Sequence, residues 1–267
     1  MPQSSRKTRE RHLAKLAARR AAERRHRRRQ RLIAAGVGGF LVIALISGLG
    51  AVLLTGGNSK TVAGPTPTPT VAPKIAGVAC GAKVPEAATV EKPTYKKAPP
   101  LTIDKGKKYT ATLETSCGTI ELELFPKEAP LAVNSFVFLA KKHFFDGLFF
   151  HRVVANFVIQ GGDPEGTGKG GPGYTFKDEL KNDLTYQLGS IAMANSGPDT
   201  NGSQFFIVAG SDGTSLPKNY TIFGLVKNGL SIVQKIDALK TTGAADAAHP
   251  DQPLQTVFIE SVTIKVS

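Results

Sequence analysis

The chain has 267 residues with 34 Lys and Arg against 21 Asp and Glu, a formal net charge of +13. That length allows one or two domains. Residues 1–31 hold 13 of the basic residues and only Glu10 and Glu23, which leaves +11 in this segment and excludes a strongly basic surface on the rest.

Residues 1–31 read as a basic cytoplasmic tail. Runs such as Arg24-Arg25-His26-Arg27-Arg28-Arg29 are also able to neutralise phosphates. The tail abuts an apolar span, however, so topology and contact with anionic lipid are sufficient reasons for it. No nucleic-acid partner is expected. Residues 32–54 carry no charge, and as a helix rising 1.5 Å per residue they would reach about 35 Å, enough for a hydrocarbon core of about 30 Å. A cleaved signal peptide normally has a shorter apolar region, so the segment is expected to be a retained transmembrane signal anchor. The arginines before it place the N-terminus in the cytoplasm. A single-pass protein of the cell membrane follows, with the bulk of the chain extracytoplasmic.

Residues 55–100 are rich in Gly, Thr, Pro, Ala and Lys and are expected to form a disordered stalk. The stretch GPTPTPTVAP, residues 64–73, favours polyproline II at about 3 Å per residue. The later part, around Cys80 and residues 85–100, is less repetitive and able to pack on the domain. The chain's two cysteines are Cys80 and Cys117. Outside the cytoplasm a disulfide between them would persist and would pin the stalk's end to the domain; two unrelated thiols are the alternative.

A folded domain is expected over 101–267. Residues 109–115 and 119–125 alternate apolar and polar about Ser116-Cys117-Gly118, which reads as a hairpin. Residues 131–145 place Leu131, Phe136, Leu139 and Ala140 near helical spacing. Short strands follow at 148–153, 156–160, 190–193, 204–208, 221–226 and 257–265, with a second helix at 230–240. Many antiparallel strands with two helices suggest a mainly β fold: a closed barrel whose ends the helices cover.

Two segments stand out chemically. FFDGLFFHRVVANFVIQGGDP sets His151 and Arg152 between apolar runs, and MANSGPDTNGSQFFIV joins a Gly- and Asn-rich loop to an aromatic strand. A charge taken out of water must be paired or must serve a function, so Arg152 requires an explanation. Gly166, Gly168 and Gly171 match a dinucleotide fingerprint in spacing, but Pro172-Gly173 prevents the helix that such a site opens.

With Phe150 to Val153, FVIQGGD from Phe157, Gly166-Thr167-Gly168, Met193-Ala194-Asn195 and GSQFFI from Gly202, these blocks resemble the cyclophilins, a family of peptidyl-prolyl cis-trans isomerases. The resemblance covers roughly 101–267 and implies an eight-stranded barrel that needs no cofactor and no metal. It implies catalysis by Arg152 and Gln160, with substrate contacts from His151, Phe157, Val158, Asn195, Ser196, Gln204, Phe206, Leu216, Tyr220 and Phe223. The residues themselves fit the chemistry. A guanidinium is rigid and charged, suited to a lone pair that the proline nitrogen regains only when the amide is twisted. Gln160 would hold the substrate carbonyl or orient Arg152, and Asn195 would use its main chain. His151 has no carboxylate near it in sequence, and its role is expected to be structural.

The sequence departs from the family in one place. Where many cyclophilins carry a tryptophan and, five residues later, a histidine, this chain has Ser215 and Tyr220, and it has no Trp at all. Weakened cyclosporin binding is expected, with isomerase activity kept. The partners expected are proline-containing polypeptides met by a monomer. The rival class is a non-catalytic proline-peptide-binding or chaperone module.

Overall fold

Alternation in 109–124 becomes a hairpin in the computed structural model, which describes residues 77–267. Strands β1 (Tyr109–Thr115) and β2 (Gly118–Leu124) pair antiparallel from Tyr109↔Leu124 to Thr115↔Gly118. Tyr109, Ala111 and Leu113 face inward with Ile120, Leu122 and Leu124, all buried. Each of the larger aliphatic side chains among them, Leu113, Ile120, Leu122 and Leu124, contributes about 1.5–3 kcal/mol on leaving water.

The first helix, α1 (Pro130–Lys141), begins with proline at its first turn, where a missing N–H costs nothing. Ala129 offers no cap. The carboxylate of Glu179 does so from a distant loop, accepting from Leu131 N at 2.9 Å and Ala132 N at 3.0 Å. The helix was expected to continue to residue 145; it ends at Lys141 because His143 turns left-handed, at φ 56°. Phe136 from its inner face stacks on Phe145 and meets Phe205 and Phe223, with centroids 4.9, 5.8 and 5.3 Å away. These rings are the centre of the core.

The remaining strands are short: β3 (Arg152–Val154), β4 (Val158–Gly161), β5 (Ser190–Met193), β6 (Phe205–Val208), β7 (Ile222–Asn228) and β8 (Ile259–Val266). Helix α2 (Leu230–Asp237) follows β7 and buries Val233 and Ile236. The eight strands form one antiparallel sheet in the order β3-β4-β6-β5-β7-β2-β1-β8. The expected closure into a complete barrel is not reached as a strand ladder, since the terminal strands β3 and β8 do not pair. The residues just before each strand bridge the seam instead. Phe149 pairs with Phe258, Phe150 N donates to Val257 O at 3.0 Å, and Ile259 N donates to Leu148 O at 2.7 Å. A three-residue β3 is too short to carry the seam itself.

Residues 77–100, expected to belong to the disordered stalk, instead pack along the domain as a strap, held by backbone bonds and a disulfide. Ala79 N donates to Thr256 O at 2.9 Å, and Thr256 N donates to Gly77 O at 2.8 Å. Cys80 is disulfide-bonded to Cys117 in the β1–β2 turn, with an S–S distance of 2.01 Å. The strap then crosses Gly147, where a Cβ would stand 2.2 Å from Ala87 C; only glycine permits that approach. Farther on, Tyr95 N donates to Pro172 O at 2.8 Å, and the Tyr95 ring meets Phe138 at 5.0 Å, edge to face. The tail 1–31, the apolar span 32–54 and the stalk up to residue 76 lie outside the described residues. Among the described residues no helix is long and apolar enough to cross a membrane.

Candidate active site

The register of three short strands builds the site. Arg152 on β3 lies opposite Gln160 on β4, and Gln160 lies opposite Phe206 on β6. Directly paired antiparallel residues share a face, so a cation, an amide and an aromatic ring stand in one row. Their sequence neighbours Val153, Ile159, Phe205 and Ile207 point the other way and join the core.

Hydrogen bonds run along this row. Arg152 Nη1 donates to Gln160 Oε1 at 3.4 Å, Gln160 Nε2 to Gln204 Oε1 at 3.0 Å, and Gln204 Nε2 to the Gly170 carbonyl at 2.9 Å. Arg152 also makes an ion pair, Nε to Asp251 Oδ2 at 3.1 Å. Gln204 thus ties Gln160 to the 163–176 loop, which fixes which way the Gln160 amide faces.

The apolar wall comes from the same outer face. Phe157, Val158 and Phe206 are buried but stand outside the main core. Phe157 sits in the β3–β4 turn, where Asn156 adopts φ 61° and its N–H donates to Asp237 Oδ2 on α2 at 2.9 Å. Asn156 Oδ1 accepts from Ser211 N at 3.1 Å, which locks that turn to the single-turn helix Ser211–Ser215 and so places half-buried Leu216 beside it. Tyr220 meets Phe206 edge to face at 5.4 Å, and Tyr186 lies 6.4 Å from Phe206 on another side. Tyr186 Oη donates to Tyr220 O at 2.7 Å and accepts from Tyr220 N at 3.1 Å. Burial pushes the Tyr186 hydroxyl up to about 12, against the opposing pull of its bond to Tyr220. The phenol of Tyr220 is also raised by burial and drawn back by the Arg152 charge.

Asn195 is half-buried and Ser196 exposed in the loop after β5. The Asn195 side chain is taken up inside the protein, donating to Asn219 O at 3.0 Å and to Asp178 Oδ1 at 3.3 Å. Its main chain is what remains to meet a peptide.

Phe223 and His151 do not make the substrate contacts expected of them, and the burial of His151 agrees with the structural role also expected for it. Phe223 is fully buried against Phe136 in the core, because a bulge at Ile191/Ala192 sets Ile222, not Phe223, opposite Ala192. His151 alternates with Arg152 and turns to the buried side, where Gly168 lies beside its Nε2. Neither His151 ring nitrogen has a hydrogen-bond partner among the described residues.

Burial lowers the His151 pKa from its ordinary 6.5 to about 4, with Asp163 pulling it up and Arg152 pushing it down. The unfolded chain therefore binds this proton more tightly than the folded one. Stability from the neutral ring is complete above about pH 6.5 and is lost as the pH falls towards about 4, by about 3 kcal/mol at most. Urea unfolding at pH 4.5 and 7 is expected to show this loss, and His151→Leu to flatten it. A wild-type stability that does not change between those values would contradict the buried neutral ring.

Sequence reasoning missed Asp251 and Tyr186. Asp251 lies 99 residues from its partner Arg152 and Tyr186 lies 34 from Tyr220, and neither belongs to a local motif.

An eight-stranded antiparallel sheet thus sets one guanidinium beside an aromatic wall, with side-chain amides aligned along a strand register. Comparison with known proteins makes this specific. The chain belongs to the cyclophilin type peptidyl-prolyl cis-trans isomerases, an enzyme family whose sequence profile matches residues 110–264. It is 42% identical over 158 residues to peptidyl-prolyl cis-trans isomerase cypE of Dictyostelium discoideum, covering 58% of this chain and 96% of that protein. It is 44% identical over 173 residues to peptidyl-prolyl cis-trans isomerase A of Mycobacterium tuberculosis, covering 58% and 91%. A crystal structure of a Cryptosporidium parvum cyclophilin type isomerase superposes with a TM-score of 0.53 at 32% identity, covering 59% of this chain and 98% of that one. The same protein has been solved in the presence of the dipeptide Ala-Pro.

Proposed function

We propose that the chain isomerises X-Pro bonds in exported or surface proteins from a membrane anchor, with Arg152 donating to the proline nitrogen in the twisted state. The observation that carries the reading is the row Arg152, Gln160 and Phe206 in strand register. Rotation about a peptide bond faces a barrier of about 18–20 kcal/mol, and only interactions stronger in the twisted state than in the flat one lower it. A proline ring against Phe157, Val158, Phe206 and Leu216 would hold one side of the amide. The Asn195 main chain and the Gln160 amide would hold the flanking peptide while Arg152 meets the regained lone pair.

The Ala-Pro dipeptide used with the Cryptosporidium relative is a ligand of the kind this wall would take. The extracytoplasmic setting draws support from the Cys80–Cys117 disulfide, since such bonds persist in oxidising compartments. The basic tail before an uncharged span supports the anchor and its orientation. The deciding experiment is isomerisation of a short X-Pro peptide by the full-length chain. Acceleration supports the enzyme, whereas binding without acceleration would make the chain a proline-peptide-binding module.

Ser215 is exposed at the end of the single turn before Leu216, so the site's rim lacks an indole there. Ser215→Trp is expected to tighten cyclosporin binding on the order of tenfold, since an indole adds a donor and a large apolar face. Titration calorimetry of both forms checks this, and equal affinity would sink it.

A further inference from the structure

Arg152 is held by two acceptors from different parts of the chain. Gln160 Oε1 accepts from Nη1 at 3.4 Å, and Asp251 Oδ2 accepts from Nε at 3.1 Å. Asp251 belongs to the long connection between α2 and β8. It holds only one short 3-10 turn, Gly243–Ala245, and connections of that length with so little regular structure are uncommon unless they serve a site.

This one is built to place Asp251. The Asp251 carbonyl accepts from Val153 N at 2.8 Å, next to Arg152 on β3. The residues on either side are fastened too: Thr242 N donates to Gln252 O at 2.9 Å, and Gly243 N to Pro250 O at 2.8 Å. Thr242 Oγ1 donates to the His249 carbonyl as well. The carboxylate is therefore presented from a loop closed on itself and tied to the strand that carries Arg152.

Stability does not account for the pair. The two side chains keep 34% and 38% of their exposure, and an ion pair that wet adds little, because the entropy of holding two long side chains offsets most of the attraction. Orientation does account for it. An arginine has four rotatable bonds to fix, and a bond at Nε together with one at Nη1 defines the guanidinium plane. Nη2 is then the nitrogen without a protein partner among the described residues. The carboxylate's charge works against the field Arg152 presents to a lone pair, so what catalysis requires from residue 251 is the acceptor and not the charge.

We propose that Asp251 is a positioning residue of the isomerase, which holds the Arg152 guanidinium in the plane from which it donates to the twisted amide. This rests on the isomerase reading above. Exchange NMR of a cis/trans X-Pro peptide with the full-length chain separates kcat from KM. Asp251→Ala is expected to lower kcat about tenfold while KM moves less than about twofold, the loss expected from a misplaced group. Asp251→Asn, which keeps an acceptor oxygen, is expected to recover most of the rate. In an Arg152→Ala background Asp251→Ala should do nothing further.

The proposal is overturned by unchanged kcat in Asp251→Ala, by the same loss in the Arg152→Ala background, or by an Asn variant as slow as Ala. A wild-type chain without acceleration would remove the isomerase reading itself. Even then the Arg152 ¹⁵Nε–¹Hε resonance decides whether Asp251 holds the guanidinium: the ion pair slows its exchange, and a signal equally protected in Asp251→Ala overturns the contact.

Discussion

Arg152→Ala is expected to reduce kcat/KM for prolyl isomerisation by about 10²-fold, with peptide affinity changed far less. One hydrogen bond from a charged donor contributes about 1.5–3 kcal/mol, and each 1.4 kcal/mol is about tenfold in rate. The loss should fall on kcat, because the nitrogen lone pair that accepts the bond exists only when the amide is twisted. On the proposed reading Arg152 would supply only part of the acceleration. An acceleration on the order of 10⁵ requires about 7 kcal/mol, and the remainder must come from the wall of Phe157, Val158 and Phe206 and from the amides that hold the peptide. Arg152→Lys would keep the charge but lose the planar fork bonded to both Gln160 and Asp251, so it should recover only part of the rate. A loss under about threefold in Arg152→Ala would mean that the wall alone carries catalysis.

The second large effect concerns stability. Cys80 and Cys117 close a loop with a sequence separation of 37, and the chain-entropy account assigns about 4 kcal/mol to such a cross-link. The double variant Cys80→Ser/Cys117→Ser should therefore melt roughly 10 °C lower, at about 2–4 °C per kcal/mol for a domain of this size. Catalysis well below that melting point should be nearly unchanged, since neither cysteine touches the chain from Asp251 through Arg152 to Gly170. A melting point equal to that of the wild type would show that the strap's backbone bonds to Thr256 and Pro172 suffice without the cross-link.

Features carried by local periodicity were legible in the sequence. The β1–β2 hairpin reads directly because its inward residues repeat every second position, and α1 because its apolar residues keep helical spacing. Its end at Lys141 was not legible, since nothing in Lys142-His143-Phe144 marks the left-handed turn at His143. Arg152, Gln160 and Phe206 were named from motif resemblance, and the register explains why they meet. Phe223 was misplaced because a bulge decides which face a strand residue takes, and a bulge leaves no local signature here. His151 followed the same logic, its neighbour facing the site while it faces inward. Asp251 and Tyr186 act across long sequence separations, and no pattern in one sequence reports such contacts.

The disulfide also sets how the domain would carry load. Tension applied to the chain before residue 77 reaches Cys80 and passes through the sulfur atoms to Cys117, so residues 81–116 form a covalently closed bypass that bears none of it. The residues that cross Gly147, the Tyr95–Pro172 bond and β1 all lie on that bypass, so the pull passes from Cys117 directly into β2, which is paired on one side with β1 and on the other with β7. A pull on the chain before residue 77 would thus be met by the ladders that hold β2 between its neighbours, and the strap would keep its contacts.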